Sequence, residues 1–132
     1  MYVSTYKSEV SLVAEHFGIS EELLTCLLYK ESSWIPNAVS VDDAKGLAQL
    51  TPDTVYTLNN IIQMTVSDSE KRNYEDIVRN HKKDFVFARN RLDNLELKKY
   101  WTDYFTSQGR PVPTRIRVND PSIAIAAAGL HL

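Results

Sequence analysis

Four helix-opening signatures punctuate this 132-residue chain, and they constrain its fold more than any other feature. Ser20 precedes Glu21 and Glu22, Thr51 precedes Pro52 and Asp53, Ser67 stands three residues before Glu70, and Asp120 precedes Pro121. A small oxygen-bearing side chain accepts hydrogen bonds from the first free N–H groups of a helix, and proline fits where no N–H is needed. Ser67 and Glu70 have capping-box spacing. These signatures predict helices from about 20 to 33, from 51 to about 63, one or two within 70–105, and a last one from 121. A further amphipathic helix is expected over 7–17, stopped by Gly18. The stretch 34–46, with Pro36, Asn37, Asp42, Asp43 and Gly46, reads as an ordered loop. The stretch 106–118 reads as a second loop with room for a short strand at Thr114–Val118. No strands alternate convincingly with helices, so the expected class is mainly α, in one domain covering 1–132.

The helix over 20–33 carries the first candidate for chemistry. Leu23, Leu24, Leu27 and Leu28 form an apolar stripe at helical spacing. Glu31 lies four residues after Leu27 and three after Leu28, so it is expected to extend that stripe toward the interior. A carboxyl at the end of a buried stripe, near the negative end of a helix dipole, is expected to favour its protonated form. That is the state a general acid needs to protonate a glycosidic oxygen. The same position also fits a glutamate that simply reaches water. Cys26 sits among leucines and is expected to be a buried packing residue; as a lone cysteine it forms no internal disulfide. His16, His81 and His131 are scattered without metal-ligand spacing, so neither a metal nor another cofactor is expected.

Residues 31–54 read ESSWIPNAVSVDDAKGLAQLTPDT. This stretch resembles the soluble lytic transglycosylase family, which is related in fold to goose-type lysozyme. The matching elements are Glu31-Ser32, Asn37-Ala38-Val39-Ser40, Gly46-Leu47-Ala48-Gln49 and Pro52-Asp53-Thr54, in order and at the family's spacing. A softer match runs from Asp120-Pro121 to Gly129-Leu130-His131-Leu132, with histidine where the family usually has tyrosine. The resemblance implies a lysozyme-like domain with Glu31 as catalytic residue. It implies substrate contacts from Ser32, Ser40, Gly46 and Gln49. Other roles remain open: Ser32 closing its helix end, Ser40 bracing the loop, and Gln49 capping backbone groups. Trp34 and Leu47 are expected to pack rather than touch sugar. Three departures stand out. Ala48 replaces the usual methionine, leaving a roomier wall. The segment 66–118 is long and charged and reads as an insertion or elaboration. The family's Ala-Tyr-Asn-x-Gly motif has no counterpart, which reads as a C-terminal truncation or a rebuilt wall.

The resemblance implies cleavage of the β-1,4 bond between N-acetylmuramic acid and N-acetylglucosamine in peptidoglycan, with a 1,6-anhydro product. A muramidase that hydrolyses the same bond is the alternative chemistry, with Asp42 or Asp43 as the nearest second carboxylates. A non-catalytic peptidoglycan-binding component of a virion or secretion apparatus is the alternative class. The formal net charge of −2 creates no field toward nucleic acid, and none is expected as a partner. Basic residues at 71–91 interleave with acidic ones and read as a solvated face, or as a docking segment within 66–105 for virion or secretion-apparatus proteins. No apolar run reaches a membrane span. The first ten residues show no leader pattern. Action at the cell wall therefore implies virion delivery, a phage origin or a longer precursor.

Overall fold

A computed structural model describes residues 4–132. The leader reading rests partly on residues 1–3, which lie outside the described residues. Six α-helices follow in order: α1 (Ser4–Phe17), α2 (Glu21–Ser32), α3 (Pro52–Ile62), α4 (Asp68–Arg79), α5 (Phe85–Ser107) and α6 (Pro121–His131). The described residues are mainly α. None of the described helices is long and apolar enough to cross a membrane.

Each expected opening is present as a cap. Ser20 Oγ accepts from Leu23 N at 3.1 Å, and Thr51 Oγ1 from Thr54 N at 3.3 Å. Asp120 accepts from both Ser122 N and Ile123 N. Ser67 and Glu70 form the full reciprocal capping box. The charged segment forms two helices that pack on each other. No residue of α4 is buried. Its last turn is held by Asp76, which accepts from Asn80, Arg79 and Lys82. The Lys82 ammonium on Asp76 holds that carboxyl below its usual range.

The core centres on α6. Ile123 to Leu130 are all buried, so this helix is apolar on every side and is sheathed by its neighbours. α1 supplies Val10, Val13 and Ala14, α2 supplies Leu24 and Leu28, and the second half of α5 supplies Trp101, Tyr104 and Phe105. Within 66–118, α4 thus lies at the periphery and the end of α5 lies in the core.

Two local expectations are corrected. Cys26 is exposed. The buried row of α2 is Leu24, Leu28 and Ser32, one turn apart, while Leu23 is 56% exposed. Cys26 lies two residues from Leu24 and Leu28, on the other side of the helix. The second correction is at 114–118, which forms no strand. Side chains satisfy its backbone instead. Asn59 Oδ1 accepts from Ile116 N at 2.7 Å, and Gln63 Nε2 donates to the Thr114 carbonyl at 2.7 Å. Trp101 Nε1 donates to the neighbouring Pro113 carbonyl.

Candidate active site

Glu31 is the penultimate residue of α2 and is exposed, not interior. The expected extension of the buried stripe fails because the stripe follows the row 24–28–32. Leu27 and Glu31 form the adjacent row, rotated by roughly 60° around the helix. That row makes one wall of a cleft of about 350 Å³, whose other walls come from Ala48 to Thr51, from Thr54 in the first turn of α3, and from Ala128 and His131 at the end of α6.

The loop between α2 and α3 is locked from both ends. Ser32 is buried, and its hydroxyl donates to the Leu28 carbonyl at 3.0 Å and accepts from Trp34 N at 3.2 Å. Trp34 is buried and stacks on Tyr6 with ring centroids 5.9 Å apart. Ser40 Oγ accepts from Asp42 N and Ala44 N, closing the turn that carries the two exposed aspartates. Asp43 pairs with Lys45 at 3.6 Å. Lys45 and Leu50 exchange backbone hydrogen bonds, and Gly46 N donates to the Ala38 carbonyl at 2.9 Å. Gly46 has φ +80, and a Cβ there would overlap the Val118 carbonyl. Its freedom thus serves a turn and a close backbone approach within the protein. Leu47 is fully buried beneath it.

Gln49 reaches the cleft with its backbone at φ 50. Its amide nitrogen donates to the Ala38 and Gly46 carbonyls, both at 3.0 Å. Both N–H groups are thereby used on the loop, and the side-chain oxygen has no hydrogen bond among the described residues. Ser33, Trp34, Asp43 and Gln49 all have positive φ, four of the six such non-glycine residues described. Left-handed backbone at non-glycine positions costs of order 1–3 kcal/mol each and tends to gather where a site is held in shape.

Of the residues singled out in the sequence, Glu31 and Gln49 meet in this cleft. Ser32, Ser40 and Gly46 do not line it, and their hydrogen bonds run within the loop. Thr51, Thr54 and His131 do line it. The threonines were legible only as cap and helix residues, and His131 only as a departure from a tyrosine. Glu31 is the one acidic side chain among the cleft residues; Asp42 and Asp43 are not among them. A second hollow, of about 470 Å³, lies between α1 and α5 and is lined by Glu15, His16 and Tyr104 among others. It contains no residue of the 31–54 stretch, so the smaller cleft is the candidate site.

Residues 10–83, more than half of the chain, match the family model described as the transglycosylase SLT domain. No curated protein and no solved structure matches the chain. The matched residues include Glu31, Gln49, Thr51 and Thr54, and leave out the α6 wall.

Proposed function

Because the chain belongs to the transglycosylase SLT domain family, whose substrate is peptidoglycan, we propose that Glu31 cleaves its glycan strands at the β-1,4 bond between N-acetylmuramic acid and N-acetylglucosamine. The observation that carries this reading is the cleft's single acidic side chain. A hydrolase of this class uses two carboxyl groups, one of them to act as nucleophile or to activate water. One carboxyl suffices when the nucleophile belongs to the substrate and is already in place. In this reaction the Glu31 carboxyl protonates the leaving glycosidic oxygen as the C1–O bond breaks. The resulting carboxylate takes the proton of the sugar's own 6-hydroxyl, whose oxygen bonds to C1. The product is a 1,6-anhydro end, and Glu31 returns to its protonated form.

The surroundings support this use of Glu31. The C-terminal ends of α2 and α6 both reach the cleft, and such ends carry partial negative charge. That charge favours the positive character that develops at C1 in an oxocarbenium-like transition state. Ser32, Ser40 and Gly46 act in this reading by fixing the loop rather than by touching glycan. Gln49 offers its free side-chain oxygen to a sugar hydroxyl or amide N–H.

A zymogram of peptidoglycan with wild type beside Glu31→Gln tests the assignment. Clearing by wild type and none by the variant is expected; equal clearing removes Glu31 as catalyst. A second reading, glycan binding without cleavage, draws on the exposure of Glu31, since general acids are commonly tuned by an apolar pocket. Binding by a wild type that clears nothing would select it. The delivery route expected from the sequence, a virion or a secretion apparatus, belongs to the same proposal, and recovery of the protein in purified particles tests it.

A further inference from the structure

His131 lines the same cleft as Glu31, at the last residue of α6. Ala128, three residues earlier and on the same face of the helix, lines it too, so the end of α6 presents this face to the cleft. Most of the cleft's other side-chain donors are committed to the protein. Gln49 spends both N–H groups on the loop carbonyls. Thr51 Oγ1 accepts from Thr54 N and donates to Thr54 Oγ1 at 3.1 Å. The His131 imidazole has no hydrogen bond to any described residue. It is thus the one side chain lining the cleft with an uncommitted N–H; the Thr54 hydroxyl, which accepts from Thr51, is the other donor without an acceptor among the described residues. The small side chains of Ala48 and Ala128 leave room in front of it.

We propose that His131 is a substrate-binding residue whose imidazole N–H donates to a carbonyl oxygen of the glycan lying along Glu31. Both sugars of the strand carry such an acceptor in the N-acetyl group, and the muramic unit carries another in its lactyl arm. A neutral imidazole always presents one N–H, so the contact needs no particular charge state. The inference rests on the reading of the cleft as the glycan site, and it extends the site onto α6, outside the family match.

The test is binding and turnover on the full chain. Calorimetry in the Glu31→Gln background compares the parent with His131→Phe and His131→Asn, using chitotetraose and a tetrasaccharide of alternating N-acetylglucosamine and N-acetylmuramic acid. Phenylalanine keeps a ring and removes the donor; asparagine restores an N–H. His131→Phe is expected to weaken binding about three- to tenfold, the effect of one hydrogen bond, with asparagine recovering most of it. A loss on both sugars assigns the N-acetyl carbonyl, and a loss confined to the muramic ligand assigns the lactyl arm. In the Glu31 background, His131→Phe is expected to raise KM with little change in kcat. Equal affinities for parent and His131→Phe on both ligands overturn the inference. So does an asparagine variant that binds no better than phenylalanine. Equal turnover by wild type and Glu31→Gln would instead overturn the catalytic assignment and leave the binding result to stand by itself.

Discussion

Glu31 reaches the cleft through helical register: it shares a row with Leu27, while the neighbouring row of Leu24, Leu28 and Ser32 goes to the core. The residue was legible in the sequence, but its direction was not. Four leucines at 23, 24, 27 and 28 are compatible with more than one buried row, and only the packing of α6 and α1 decides between them. Cys26 was misplaced for the same reason. Gly46 is the position in the loop where a side chain is least tolerable, because it combines φ +80 with contact against the Val118 carbonyl. Gly46→Ala is expected to destabilise the fold by about 2–4 kcal/mol. Urea unfolding would show this as a lowered midpoint with an unchanged slope. A midpoint equal to wild type would mean that the loop can yield there without cost.

At the scale of elements, the starts of helices were read well because each is a local event: an oxygen, a proline or a carboxylate meeting free N–H groups within a few residues. The connection at 110–120 was read less well. Thr114–Val118 looks strand-like by composition, yet its partners are the side chains of Asn59 in α3 and of Gln63 at the end of that helix, 51 and 57 residues away in sequence. α6 shows how tightly its neighbours approach. A Cβ on Gly129 would meet Val13 Cγ1 at 2.6 Å and Phe17 Cδ2 at 3.1 Å. In an exposed helix, glycine to alanine gains about 1 kcal/mol. Here the branched Val13 side chain has little freedom to move aside. Gly129→Ala is expected to lose about 1–3 kcal/mol through overpacking between α1 and α6. Thermal unfolding gives the sign, and a raised Tm would show that the two helices can separate slightly at no cost.

The whole molecule is tied together by a polar cluster that no local pattern reveals. Glu9 on α1 accepts from Tyr104 of α5, from Ser122 of α6 at 3.0 Å, and from Arg110 at 3.4 Å. Arg110 also donates to Gln108 and to Ser122. The partners of Glu9 lie 95 to 113 residues from it, beyond the reach of any spacing argument. Burial first, and then the hydrogen bond to Glu9, push the Tyr104 phenol well above its ordinary range. A proton held more tightly in the folded state contributes stability that is full below the unfolded value, about 10, and is lost as pH rises through the folded one. Wild type is therefore expected to lose stability above about pH 10 more steeply than Tyr104→Phe, which has no phenol to ionise. Parallel curves in urea across pH 9–11 would remove this role. Truncating Arg110 to alanine is expected to cost about 1–3 kcal/mol, because Glu9 then keeps a partly buried charge with one fewer donor. The cluster, the buried α6 and the locked loop together hold one carboxyl in one cleft. Mass analysis of the fragments released from purified peptidoglycan by wild type and Glu31→Gln tests that account most directly. It predicts muramic ends in the 1,6-anhydro form from wild type, and a release slowed by about a hundredfold to ten-thousandfold in the variant. Reducing ends alone, or equal release by the two proteins, would contradict it.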